Sequence, residues 1–315
     1  MRQRNRASHI KMLLGLGVLI AALSGCGSRE AVTATGAEET ASPANAAAGS
    51  VNILLRGDSA KIEGRGAEVE KGVLVIHEGG TYRLTGESRL PVEVRAANVS
   101  VTLYLENVKL HTRGNSAIRA VQRGDLTLIF AGEEENSIET DGREKKDGSA
   151  ADPKGVDAAI FSKGNLTLRG SGSANIKAAN RGIVAKGELI VADGIFDLRT
   201  DDDIFCGKES VTLQGGAVRA SAQGDKGKGV SSDGAVILSG GSYVFAHTSE
   251  GIEGKTIEMS GGSFDISADD DGMNAREHYD KEETKTKKKE ANPEVWIRIA
   301  GGELYVTAGG DGLDS

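Results

Sequence analysis

The chain has 315 residues, of which 38% are hydrophobic, enough for one large folded domain. Its 44 glycines and an aromatic content of only 4% describe a chain that turns often and does not have a helix-rich profile. A formal net charge of −8 argues against nucleic acid as a partner.

Residues 1–25 carry the marks of a processing signal: Arg2, Arg4, Arg6 and Lys11 precede the apolar run "MLLGLGVLIAAL", which is too short to span a bilayer comfortably. "Leu23-Ser24-Gly25-Cys26" resembles the bacterial lipobox, in which the cysteine is diacylated and becomes the first mature residue. Cys26 is therefore the expected lipid attachment point, with an ordinary secretory signal as the plainer alternative. The expected location is extracytoplasmic, anchored to the membrane. Loss of four basic residues and no acid moves the formal charge from −8 to −12. Cys206, the other thiol, reads as a buried small hydrophobe.

Residues 26–50 are small, polar and acidic without apolar periodicity, and read as a flexible tether. Folded structure is expected from Val51 to residue 315. Runs such as "KGVLVIHEGGTYRLTG" and "VSVTLYLENVKL" alternate apolar and polar residues between turn formers, which is the pattern of strands.

Further on, a unit recurs: a Gly-aliphatic pair, a short strand, a Gly-Gly or Asp-Gly turn, then another strand. The anchors are Gly155-Val156, Gly182-Ile183, Asp203-Ile204, Gly229-Val230, Gly251-Ile252, Gly272-Met273 and Gly312-Leu313, spaced by 27, 21, 26, 22, 21 and 40 residues. The last interval contains residues 276–294, with six basic and six acidic side chains and no apolar face, a loop inserted into one coil. Coils of about 21 residues cannot bury an apolar face alone, and stacking supplies the cover. The fold class is thus an all-β parallel β-helix, with a β-sandwich as the alternative. Phe196, Val218, Tyr243, Phe264 and Leu304 should form one inward column, and Leu198, Ala220, Phe245, Ile266 and Val306 a second.

Aligned on the anchors, the preceding position reads Lys154, Arg181, Asp202, Lys228, Glu250, Asp271 and Asp311. The position two after reads Asp157, Val184, Phe205, Ser231, Glu253, Asn274 and Asp314. Stacked about 4.8 Å apart, like charges repel by roughly 0.9 kcal/mol in water and about 3.5 kcal/mol at an effective dielectric near 20. Lys154, Arg181 and Lys228 relieve the early rungs, whereas Glu250, Asp271 and Asp311 lack a cation in their column. Ca²⁺, a hard ion that takes carboxylate and carbonyl oxygens, is the expected cofactor. The candidate metal ligands are Glu250, Glu253, Asp269, Asp270, Asp271, Asn274, Asp311 and Asp314, with Asp201 and Asp202 as a further pair. Turn chemistry alone also favours Asp, Asn and Gly at such positions.

"LRGDSAKIEGRGAEVEKGVLVIHEGGTYRLTG", "AAIFSKGNLTLRGSG" and the turns "DDGMNA" and "GDGLDS" between "SGGSFDISA"-type strands resemble a family of secreted bacterial carbohydrate-binding domains. The resemblance runs from about Val51 to the last residue. It implies a right-handed parallel β-helix of pectate-lyase-like shape, calcium binding, and association with polygalacturonate or cellulose. It also implies metal sites at Asp270-Asp271-Gly272 with Asn274 and at Asp311-Gly312 with Asp314. The chain departs from that pattern at Asp203 and at the basic Lys154, Arg181 and Lys228.

No catalytic constellation stands out: the five histidines, His77 among them, are scattered and read as surface or turn residues. The expected activity is non-catalytic binding of an acidic polysaccharide by a monomer. Arg199, Arg219 and Tyr305 are candidate ligand contacts. A lyase in which Arg199 or Arg219 assists β-elimination, and a calcium-stabilised surface spacer, are the rival readings.

Overall fold

The computed structural model describes residues 8–13, 49–113, 116–141, 158–277 and 294–315, and among these every regular element is a strand. Cys26, Lys154 and the Gly155-Val156 anchor lie outside the described residues, as does most of the 276–294 loop. The strands of the stacked coils begin with Val51–Gly57. The strand Ser8–Leu13 pairs antiparallel with Glu303–Ala308.

The coils stack as a three-faced parallel β-helix. The first face holds Asn165–Arg169, Glu188–Val191, Ser210–Leu213, Ala235–Leu238, Thr256–Met259 and Trp296–Ile299 in parallel register. On the second face lie Ser173–Ala178, Ile195–Thr200, Ala217–Ala222, Ser242–Thr248, Ser263–Ala268 and Glu303–Ala308. There Phe196, Val218, Tyr243, Phe264 and Leu304 stand in register and buried, as the alternation predicts. Tyr243 and Phe264 stack with centroids 5.0 Å apart and planes 4° from parallel, so adjacent rungs contribute ring contact in addition to buried area.

The corner between the first two faces is turned in the left-handed region. Gly194, Gly216, Gly241, Gly262 and Gly302, each two residues before the inward column, all have φ between 84° and 118°. At Gly262 a Cβ would lie 2.9 Å from both Phe264 Cε2 and Gly240 O, so stacking also requires the missing side chain. In the early coils the 14-residue strand Ser100–Arg113 rounds this corner unbroken, pairing first with Asp125–Ala131 and then with Asn136–Asp141.

The third face runs from the hairpin Ala67–Glu70/Val73–Ile76 through Val92–Val94, Ile118–Ala120, Ala158–Ser162, Arg181–Ala185, Phe205–Gly207, Val230–Ser232, Ile252–Gly254 and Met273–Ala275 to Leu313–Asp314. Its inward column is Ile160, Ile183, Phe205, Val230, Ile252, Met273 and Leu313, giving coils of 23, 22, 25, 22, 21 and 40 residues. The coil is thus more variable than a 21-residue unit, because turns between faces take up the difference. This register corrects the alignment at two places. Phe205, and not Ile204, pairs with Ile183, so Asp203 takes the place assigned to Asp202. Ala158 stands opposite Arg181, the place assigned to Lys154.

Candidate functional site

Outward residues on the third face follow the order Glu93, Arg119, Phe161, Val184, Cys206, Ser231, Glu253, Asn274 and Asp314. This side is not open to water along its middle. Ala158, Phe161, Val184 and Cys206 form an apolar cluster, and Glu253 and Asn274 are buried beyond it. Cys206 is buried as expected. Its thiol donates to Asp203 Oδ2 at 3.3 Å, and burial pushes it well above the usual thiol range.

At the next rungs two acids meet two cations. Lys228 Nζ contacts Glu253 Oε1 and lies 3.5 Å from Glu250 Oε2, while Arg276 Nε lies 2.6 Å from Glu253 Oε2. Glu253 is fully buried, and Glu250 is 8% exposed. Burial first, then a hydrogen bond with Glu253, push the Glu250 carboxyl up to about 6. The expectation that Glu250 lacks a compensating cation is therefore corrected: Lys228 reaches up the column from one rung below, and Arg276 reaches back to Glu253 from one above.

The last rungs differ. Asp271 Oδ1 accepts the Asp311 backbone N–H at 2.8 Å, and Asn274 Nδ2 donates to Asp271 Oδ2 at 3.3 Å. Desolvation raises the Asp271 carboxyl above its ordinary range, reinforced by repulsion from Asp270, Asp314 and Glu250 and opposed by the Asp311 N–H. A Cβ built on Gly310 would sit 2.6 Å from Asp271 Oδ1 and 2.8 Å from Asp270 Oδ1, so the two carboxylates converge over bare backbone. Among the described residues no lysine or arginine pairs with Asp270, Asp271, Asp311 or Asp314. Oxygen donors alone, held close and uncompensated, suit a hard divalent cation.

The remaining predicted residues are dispersed. Asp269 is exposed on the turn leading to Asp270, and Asp201 and Asp202 are exposed on an earlier turn. Arg199, Arg219 and Tyr305 project from the second face. There Arg199 Nε lies 3.7 Å from Asp197 Oδ1, Arg219 sits in register with Asp197, and Tyr305 is in register with Asp265. Sequence reasoning missed Arg276, four residues past an anchor glycine and formally inside the inserted loop. Its one signal is a cation immediately after the strand "MNA".

The three parallel faces define the chain as an all-β parallel β-helix. Residues 70–229 and 223–315 match the family described as carbohydrate-binding domain-containing protein, and the chain belongs to that family. A search of curated proteins finds no match. Among solved structures, a polysaccharide lyase-like protein from C. thermocellum, solved as a gadolinium derivative, superposes with a TM-score of 0.57 at 18% identity. The match covers 84% of this chain and 96% of the other.

Proposed function

We propose that the acidic end of the third face binds an acidic polysaccharide, of the polygalacturonate kind, through Ca²⁺, and does so at the cell surface by means of a lipid on Cys26. The observation that carries this reading is the convergence of Asp270 Oδ1 and Asp271 Oδ1 over Gly310, beside Asp311 and Asp314. Asp270 and Asp271 would hold the ion with oxygen from Asp314 nearby, and the bound ion would supply positive charge for a uronate carboxylate. Lys228 and Arg276 are already engaged by Glu250 and Glu253, so they do not supply that charge. A chain of net charge −8 repels a polyanion overall, and a bound cation would reverse the sign locally at this end. Membership of a carbohydrate-binding family supports a polysaccharide ligand.

The test is co-sedimentation with polygalacturonate in Ca²⁺ and in chelator, for the wild type and Asp270→Asn/Asp271→Asn, with circular dichroism as a check on folding. Binding that needs calcium and both carboxylates supports the reading. Equal binding in chelator refutes it, as does a chelator effect confined to melting temperature, the mark of a spacer. Rising ultraviolet absorbance from unsaturated product would replace the non-catalytic reading with a lyase.

A further inference from the structure

A second cluster lies at the opposite end of the solenoid, on the hairpin that closes the third face. Among the described residues, one set of three His, Cys, Asp or Glu side chains brings its ligand atoms within 4.8 Å of one another: Glu68, Glu70 and His77. His77 is a surface residue, as the sequence suggests, and its imidazole also faces two carboxylates. Glu68 and Glu70 alternate onto one side of Ala67–Glu70, the outermost and antiparallel strand, and His77 follows directly on its partner Val73–Ile76. His77 Nε2 lies 2.9 Å from Glu68 Oε1 and 3.2 Å from Glu70 Oε1.

The surroundings hold these groups in place. The His77 backbone N–H donates to Gly66 O at 2.8 Å, and Tyr82 Oη donates to Glu78 O at 2.9 Å, fixing the two chain segments that flank the imidazole. Arg95 Nη1 binds the other oxygen of Glu70, Oε2, at 2.6 Å, leaving Oε1 for His77. That hydrogen bond holds the Glu70 carboxyl below its usual range. A carboxylate oriented by an outer hydrogen bond is the usual support for a metal-ligating one.

A single Nε2–H points along one line and serves one carboxylate, yet two oxygens flank this nitrogen at similar distances. With metal–ligand bonds of about 2.0–2.1 Å, neighbouring ligand atoms of a tetrahedral ion stand about 3.3–3.4 Å apart. The separations of 2.9 and 3.2 Å fall a few tenths of an ångström inside that edge, so small side-chain adjustments admit an ion.

We infer that Glu68, Glu70 and His77 form a binding site for a borderline divalent ion of the zinc class, which clasps the hairpin capping the solenoid. An imidazole with two carboxylates selects such an ion over Ca²⁺ or Mg²⁺. The clasp acts where a β-helix is most vulnerable, since Ala67–Glu70 is the edge strand of the third face. The site is independent of the acidic turns at the other end.

The experiment is a calorimetric titration of the intact chain with Zn²⁺ in buffer already saturated with Ca²⁺, so that the acidic turns do not contribute. One equivalent should bind in the wild type, at least about 100-fold more weakly in His77→Ala, and detectably more weakly in Glu68→Gln. Glu68, 61% exposed, is replaced without disturbing packing. X-ray absorption of the zinc complex should show a mixed nitrogen and oxygen shell. At a zinc concentration about 100-fold above Kd, Tm should rise by roughly 5–10 °C. No zinc uptake, or uptake undiminished in both variants, overturns the inference.

Discussion

Replacing Lys228 with methionine removes the cation shared by Glu250 and Glu253 while keeping much of its apolar stem. At 3.5 Å, the separation of Lys228 Nζ from Glu250 Oε2, unit charges attract by about 5 kcal/mol at an effective dielectric near 20, much of it offset by desolvation of the groups involved. Without the lysine the desolvation remains, and breaking a buried pair from one side typically costs about 3–5 kcal/mol. Arg276 still holds Glu253 at 2.6 Å, so the burden falls on Glu250. Its carboxyl already stands at about 6 against 4.5, a difference of roughly 2 kcal/mol between its two protonation states. The folded protein therefore takes up this proton before the unfolded chain does. The penalty of the buried charge is full above pH 6 and disappears as the pH falls through about 6 towards 4.5. Lys228→Met raises that carboxyl further. Urea denaturation in chelator should accordingly show the variant about 3 kcal/mol less stable at pH 8, with the deficit at least halved at pH 5. A deficit equal at both pH values, or below about 0.5 kcal/mol at pH 8, refutes the account of this cluster.

Gly310→Ala places a methyl group 2.6 Å from Asp271 Oδ1 and 2.8 Å from Asp270 Oδ1, so calcium affinity measured by calorimetry should fall by at least about tenfold. Asp271→Asn keeps an acceptor for the Asp311 N–H and removes a charge repelled by Asp270, Asp314 and Glu250. In chelator its Tm should rise, and the further rise that calcium gives the wild type should vanish. Phe264→Ala deletes a fully buried ring stacked on Tyr243, and its unfolding free energy should drop by about 3–5 kcal/mol in denaturant titration.

The second face was legible residue by residue, because period-two alternation and the glycines two residues before each inward position mark the same phase in every coil. Registration failed by one residue at Asp201-Asp202-Asp203. Three identical side chains offer equivalent alignments, and Ile204 stands where other coils have glycine, so only the pairing of Ile183 with Phe205 decides. Burial on the outer side of the third face was also hidden, since the strands there are three to five residues long and too short to display a period. Lys228 and Arg276 escaped for a different reason: a long side chain is assigned by sequence to its own rung, yet its charge lies in the next. The Glu68, Glu70 and His77 cluster depends on the antiparallel hairpin at the cap, the one place among the described residues of this face where the parallel repeat does not apply.

The acidic column is thus two systems. Glu250 and Glu253 against Lys228 and Arg276 balance two charges with two, and need no external ion. Asp270, Asp271, Asp311 and Asp314 have no partner of opposite sign among the described residues, so the proposed Ca²⁺ site starts one rung above Glu250. This division bears on ligand recognition. A polyanion held by exposed lysines and arginines would weaken with salt and ignore chelation. At the acidic end of the third face, among the described residues, Lys228 and Arg276 are paired with Glu250 and Glu253, and the uncompensated charge is negative. Binding of an acidic polymer there should respond to calcium far more steeply than to sodium chloride, and the two titrations, run on one protein preparation, separate the mechanisms.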